Sequence, residues 1–527
     1  MSLHDIIKSR TALLAAVAVG ALATSCIDYE DNVNPDEATE EMMTVDNLKA
    51  GSFFNQMQRG IILFQNIDGN RSAGDYQITQ GYFYDALGGY AAATIANAEW
   101  NALYAFKNQG RKAVFDAASV RVMSPWKQIH EMAEAEGLAT LDALAAVVKI
   151  AAMHRAADTF GSIAYINFGK SPNYDSLEEI YKKFFEELDN SITVLSSTVA
   201  TGNTTMLADY DVVYGGDLNK WLKFANTLRL RLAMRCSYAD PALAKEQAEK
   251  STASSIGFIE SADDRAELRH NLISYIHPYS EIIGWHESKP AASIIAYMNG
   301  YEDPRRTAYF TPGYQGGYYG VLTGLNTANT TSYKDEKGTT LSELNIPADY
   351  PLVWMFAAES FFLRAEGAIR GWNMGGDAQS FYKAGVEASF NERGVTGADT
   401  YLNSTKTPGQ FRDMIYGNNR NVSSTITPKW DNSADFETKL ERIITQKWIA
   451  MFPEGCEAWS EQRRTGYPKL IPVLNNASGG TVDAEKGARR IPFPDEEYSV
   501  NAEGVATGVA NLGGPDNGGT KVWWDKK

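Results

Sequence analysis

The stretch "PLVWMFAAESFFLRAEGAIRG" (Pro351–Gly371) decides the fold class. Met355, Ala358, Phe362, Ala365 and Ile369 recur in it at steps of three and four, which places them along one face of a helix. Gly371 supplies the stop, because glycine enters the left-handed conformation after a helix with no Cβ penalty. A second helix is expected from Asp377 to about Ser389, so the two read as a helical hairpin.

The same period recurs upstream. "LDALAAVVKIAAMHRAADTF" (141–160) is alanine-rich and apolar on most sides, the pattern of a buried helix. "SLEEIYKKFFEELDNSITVL" (176–195) opens with Ser176 and carries Glu179 three residues later, a capping-box signature. In "DLNKWLKFANTLRLRLAMR" (217–235), Trp221, Ala225, Leu228 and Leu232 form one apolar stripe, with Arg229, Arg231 and Arg235 mostly off it. The hairpins are of tetratricopeptide type, but no strict 34-residue period is visible. The chain therefore reads as mainly α, built on a tetratricopeptide-like helical-hairpin scaffold.

Between the helices, residues 66–112 and 301–350 are long and rich in Gly, Tyr, Asn and Thr. Ordered loops of that length usually carry function, and their aromatic content argues against disorder.

The first 25 residues read as an export signal. Lys8 and Arg10 precede the uncharged run "TALLAAVAVGALA" (Thr11–Ala23). As a helix that run spans about 20 Å, short of the roughly 30 Å of a bilayer core. Ala23, Thr24 and Ser25 then lead into Cys26, an arrangement that resembles a bacterial lipobox, although Ala23 stands where leucine is usual. Cys26 is the expected lipidation site, giving a membrane anchor through acyl chains. Residues 26–40 form a flexible tether whose Asp28, Glu30 and Asp31 resemble the surface-export signal of Bacteroidetes lipoproteins. Residues 41–527 are expected to form a single domain.

A formal charge of −16 without a basic block argues against nucleic acid or an anionic bilayer surface as the main partner. Cys236 and Cys456 fall inside helical patterns and read as buried free thiols. The signatures of an enzyme are missing. Gly169-Lys170-Ser171 lacks the earlier glycine of a phosphate loop, since position 164 is Ala164. His130-Glu131 is followed by Glu134 where a zinc-binding helix would need histidine. Glu359 and Glu366, two turns apart, read as structural ion-pair partners rather than a glycosidase pair. No catalytic residue, metal site or cofactor is expected.

Several segments together resemble the SusD/RagB family of Bacteroidetes outer-membrane lipoproteins. They are "NVNPDEAT", "AADTFGSIAYINF" with "YDSLEEIYKKFFEELDNSI", "DVVYGGDLNKWLKFANTLRLRLAMR" and "NGYEDPRRTAYF", then "AAESFFLRAEGAIRGW", "QKWIAMFPEGCEAWSEQRRTGYPKL", "RRIPFPDEEY" and "VWWD". They occur in the family's order and cover nearly all of the mature chain. The resemblance implies a SusD-like α–α superhelix of tetratricopeptide-like pairs with a loop-rich, irregular second half. It also implies a cell-surface, lipid-anchored, non-enzymatic protein. Such a protein acts as the lid of a TonB-dependent, SusC-like transporter and captures an oligosaccharide, or in some systems a peptide. A tetratricopeptide scaffold that binds another protein is the alternative from a different class.

Sugars present C–H patches that stack on aromatic faces and hydroxyls that need amide, carboxylate or guanidinium partners. Two loops offer both. One carries Tyr82, Tyr84, Tyr90, Trp100, Asn101 and Tyr104; the other carries Tyr309, Tyr314, Gln315, Tyr318 and Tyr319. Trp285 and His286 can add to either, and Trp100 and Asn101 are expected to belong to the ligand site. Arg463 and Arg464, amid Glu454, Glu457 and Glu461, read instead as an ion-paired helix end.

Overall fold

The structure is a computed structural model that describes residues 48–64, 73–95, 103–269, 275–325 and 330–527. Cys26, the leader and tether, and Trp100 and Asn101 lie outside the described residues. Ala50–Lys527 form one compact unit.

Helices α1 (Leu48–Arg59), α2 (Asn108–Ala118), α3 (Ser124–Glu136), α4 (Ala139–Phe160) and α5 (Leu177–Ala200) open the scaffold. They are followed by α6 (Leu218–Arg235), α7 (Pro241–Ala253) and α8 (Ala292–Tyr301). The last group is α9 (Ala357–Ile369), α10 (Ala378–Glu392), α11 (Phe436–Ala450), α12 (Gly455–Thr465) and α13 (Ala502–Leu512). Consecutive helices pack on one another, most extensively α9 on α10 and α4 on α5. The expected hairpin is α9–α10: Asp377 caps α10 by accepting from the Ser380 amide, and Gly371 takes a positive φ of 77° after α9. The capping box of Ser176 and Glu179 starts α5.

Helix α4 is buried on nearly every side, so its polar residues must find partners inside the protein. Arg155 donates to Glu454 at 2.7 Å and to Gln80 at 3.1 Å. The arginines off the apolar stripe of α6 meet the same demand. Arg231 forms a two-pronged pair with Glu359 at 2.8 and 2.6 Å, and Arg235 pairs with Glu457. Lys447 of α11 lies 2.9 Å from Glu457 and 3.3 Å from Glu461, and Arg464 clamps Glu366 through two 2.6 Å bonds. These groups are buried, and together they join α6, α9, α11 and α12. Arg463 donates to the carbonyls of Asp158 and Arg489 at 2.6 and 2.9 Å. Cys236 and Cys456 are buried and free.

The strands are short: β1 (Ala91–Ala93), β2 (Ala266–Leu268), β3 (Ser288–Pro290), β4 (Leu352–Met355), β5 (Gln410–Phe411) and β6 (Arg420–Asn421). They form antiparallel pairs β1–β3, β2–β4 and β5–β6. The β1–β3 pair fixes where the loops emerge, because it delivers Thr94 to the His286–Glu287 backbone.

Two regions depart from the sequence reading. Met355, expected on the helical stripe, ends strand β4 opposite Ala266, and α9 starts only at Ala357. Residues 66–112 were expected to be loop, yet Gln77–Asp85 form a π-helical run whose side chains are almost all buried. Asp85 in that run accepts from Tyr279 at 2.6 Å, Gln80 at 3.1 Å and the Gly455 amide at 3.1 Å. Gly455 is required there: a Cβ would stand 2.4 Å from Asp85 Oδ1 and from the Tyr84 carbonyl carbon. Tertiary partners hold the run in a helical form that its glycine and aromatic residues would not adopt unaided.

Candidate functional site

The aromatic residues expected at the ligand site divide by burial. Tyr90 is in the core: its ring stacks on Trp448 at 5.6 Å and 14°, Phe452 meets it edge-on at 5.4 Å, and its hydroxyl donates to the Trp448 carbonyl at 2.5 Å. Tyr84 is also buried. Its hydroxyl bonds Thr159 at 2.9 Å, and the Arg155 guanidinium lies over its ring. Tyr90 has no face open to a ligand, which corrects the expectation for it. Tyr84 is buried at the wall of a separate cavity with Gln80, Val114 and Arg155, which none of the exposed loop rings lines. The π-helical run turns Tyr84 inward, and Tyr90, beyond the run, is covered by Trp448 and Phe452. Tyr82 and Tyr309 are likewise buried.

Tyr104 occupies an intermediate place. It sits with a positive φ of 59° and lines a cleft with Leu87, Trp459, Gln462 and Leu470. The cleft measures about 510 Å3 with its open mouth.

The remaining rings lie on the surface. Trp285 is 42% exposed and Tyr314 48%. Tyr318 and Tyr319 are half-buried, Tyr318 beneath the Arg306 guanidinium at 5.3 Å. Their segments are tied together. The Thr311 amide donates to the Glu343 carbonyl at 3.0 Å, Tyr314 to that of Thr340 at 3.1 Å, and Ser342 to that of Tyr319 at 2.9 Å. A small apolar cluster of Ala92, Ala291, Val321, Leu325, Tyr333 and Leu341 supports them, with Tyr319 packed on it. Sequence reasoning missed Tyr416. It is 47% exposed, its ring lies 5.5 Å from Tyr333, and its hydroxyl is 2.8 Å from Ser332 Oγ. Its only signal was one aromatic in the polar turn "MIYGNN".

A polar cluster follows Trp285 in the chain. Lys289 is fully buried and paired with Glu343, and His286 Nδ1 stands 3.7 Å from Glu343 Oε1. Burial pushes the Glu343 carboxyl up, against the opposing pull of Lys289 and His286. Glu343 Oε2 and His286 Nδ1 are buried without a hydrogen-bond partner. His286 and Gln315 hold positive φ values of 55° and 52°, a cost of about 1 kcal/mol or more each. Strained backbone, exposed rings and unmet polar atoms thus coincide on connected segments. This arrangement can stack on C–H faces and bond hydroxyl or amide groups.

By contrast, Glu359 and Glu366 are consumed by Arg231, Arg464 and Arg370. Among the described residues, no three His, Cys, Asp or Glu side chains are grouped to hold a metal ion.

Fold and loop surface together define a SusD-like helical scaffold protein. The SusD-like family model, described as Susd and RagB outer membrane lipoprotein, matches residues 30–525, and the chain belongs to this family of outer-membrane lipoproteins. Among solved structures, it is similar to a chitin-binding SusD homolog from Flavobacterium johnsoniae, at 40% identity and a TM-score of 0.86, covering 91% of this chain and 99% of that one. A SusD homolog from Bacteroides uniformis shares 38% identity with a TM-score of 0.83, over 92% of this chain and 100% of the other. One from Bacteroides vulgatus shares 34% with a TM-score of 0.84, over 90% and 97%. No curated protein sequence matches the chain. Among the described residues, no helix is long and apolar enough to cross a membrane.

Proposed function

We propose that this chain is a non-enzymatic, cell-surface glycan-binding lipoprotein, anchored through Cys26, that closes as a lid over a SusC-like TonB-dependent transporter. The observation that carries the glycan reading is the pair of exposed rings, Trp285 and Tyr314, on linked loops beside the unmet polar atoms of Glu343 and His286. Similarity to a chitin-binding relative supports oligosaccharides containing N-acetylglucosamine as the proposed ligand class. Their pyranose faces would stack on the two exposed rings, and their hydroxyl and acetamido groups would take hydrogen bonds from polar side chains beside them. Trp100 and Asn101 follow Thr94 on the same loop and are proposed to complete the site, with Tyr104, Tyr318 and Tyr319 at its borders.

Calorimetry of the mature chain against chito-oligosaccharides, with a peptide mixture alongside, tests this. Binding of the sugars, weakened by Trp285→Ala, Tyr314→Ala and Trp100→Ala, is the expected result. Full affinity in all three variants, or binding of peptides alone, would refute it. Fatty-acid labelling that is lost in Cys26→Ala tests the anchor, and co-purification with the transporter tests the partnership.

A further inference from the structure

A cleft between α3, α4 and α5 has about 190 Å3 of room, and no residue of the loop face lines it. Its charges are matched within its own wall. Lys149 lies 2.9 Å from Glu187, Lys183 2.7 Å from Glu186, and His130 Nδ1 2.9 Å from Asp142.

Two neutral groups are left over. The Trp126 indole N–H is buried without a hydrogen-bond acceptor, and the Ser191 hydroxyl, on a fully buried residue, has no partner either. Both residues line the cleft. The Lys149 ammonium lies 3.7 Å from the Trp126 ring centre and the His130 ring stacks on it at 5.0 Å, so the indole plane is fixed. Buried polar atoms normally find partners, and exceptions call for an occupant. A charged guest would have to break one of the two lysine–glutamate pairs or the His130–Asp142 hydrogen bond. An uncharged hydroxylated guest would accept from the indole and exchange hydrogen bonds with Ser191, leaving the pairs intact. The room suits a compact guest such as a single sugar ring.

We infer that this cleft is a second binding site, on the helical scaffold, for one uncharged polyhydroxylated ring. Nitrogen-15 labelling of the tryptophan indoles reads it directly, with the Trp126 resonance assigned by its absence in Trp126→Phe. The mature chain is titrated with glucose, galactose, mannose, N-acetylglucosamine and glucuronate. A saturable shift of the Trp126 N–H with at least one neutral sugar is expected. It persists in Trp285→Ala and disappears in Ala146→Phe, which fills the cleft from a half-buried position on α4. Ser191→Ala provides a gentler variant, expected to weaken the effect several-fold while leaving the melting temperature unchanged. No shift with any neutral sugar, a preference for glucuronate, or loss of the shift in Trp285→Ala would overturn the inference.

Discussion

Tyr90 and Trp285 precede the paired strands β1 and β3, yet their surroundings are opposite. Tyr90 is enclosed by Trp448 and Phe452 with its hydroxyl satisfied, whereas Trp285 leaves 42% of its surface open. The polar groups around them divide in the same way. In the scaffold, Glu366, Glu457 and Glu461 are held by buried cations, while beside Trp285 a Glu343 oxygen and a His286 nitrogen have no partner. The contrast teaches that residue type does not assign the role. A ring whose faces are covered contributes packing, and a ring on a tethered loop remains available to a ligand.

The sharpest way to break this contrast is to unpair the scaffold. Glu366→Ala leaves the buried Arg464 with Glu461 as its one carboxylate and deprives Arg370 of its carboxylate partner, and should cost about 3 kcal/mol in urea unfolding. A loss below about 1 kcal/mol would show that the buried pairs are not the joint between α9 and α12. The same site governs acid stability. Burial alone would raise the Glu366 carboxyl, but Arg464 and Arg370 hold it down at about 2. Its folded-state value lies below its unfolded one, so the stabilisation is present at neutral pH. It is lost as pH falls from the ordinary carboxylate range toward 2. Unfolding curves of Glu366→Gln should be flatter across that window than those of the parent.

Removing a covered ring comes next. Tyr90→Ala should destabilise by about 3 kcal/mol through lost packing around Trp448, a value that thermal and urea unfolding will read. Removing an open ring should reverse the pattern. Trp285→Ala is expected to weaken chito-oligosaccharide binding about tenfold, or roughly 1.4 kcal/mol, and to change stability by less than about 0.5 kcal/mol. Were Trp285→Ala to destabilise as much as Tyr90→Ala, the division between core and face would fail. The smallest effect belongs to the capping box: Ser176→Ala should cost about 1 kcal/mol in unfolding and leave binding untouched.

The scaffold was readable because its signals are local. The stripe from Ala358 to Ile369, the stop at Gly371 and the box at Ser176 depend on residues a few positions apart, and the helices start and end near them. Met355, read as the first member of that stripe, instead closes strand β4 because it pairs with Ala266 far away in the chain. The ion-pair role of Glu359 and Arg464 was readable for a related reason, since opposite charges on buried helix faces must meet. The candidate site was only half readable. Trp285 and Tyr314 stand out from turn-rich sequence, but Tyr84 and Tyr90 look the same in one dimension, and nothing near Tyr416 marks it.

The amino-acid sequence by itself determined a mainly helical hairpin scaffold, and its ordered motifs pointed to the SusD/RagB family, because helix periodicity, caps and charge matching are written at short range. Only the tertiary structure decided which aromatic rings are covered. For Tyr84 that depends on the π-helical run of Gln77–Asp85 and the close approach of Gly455, and for Tyr90 on Trp448 and Phe452. Their long-range contacts outweigh the weak local preferences of the chain.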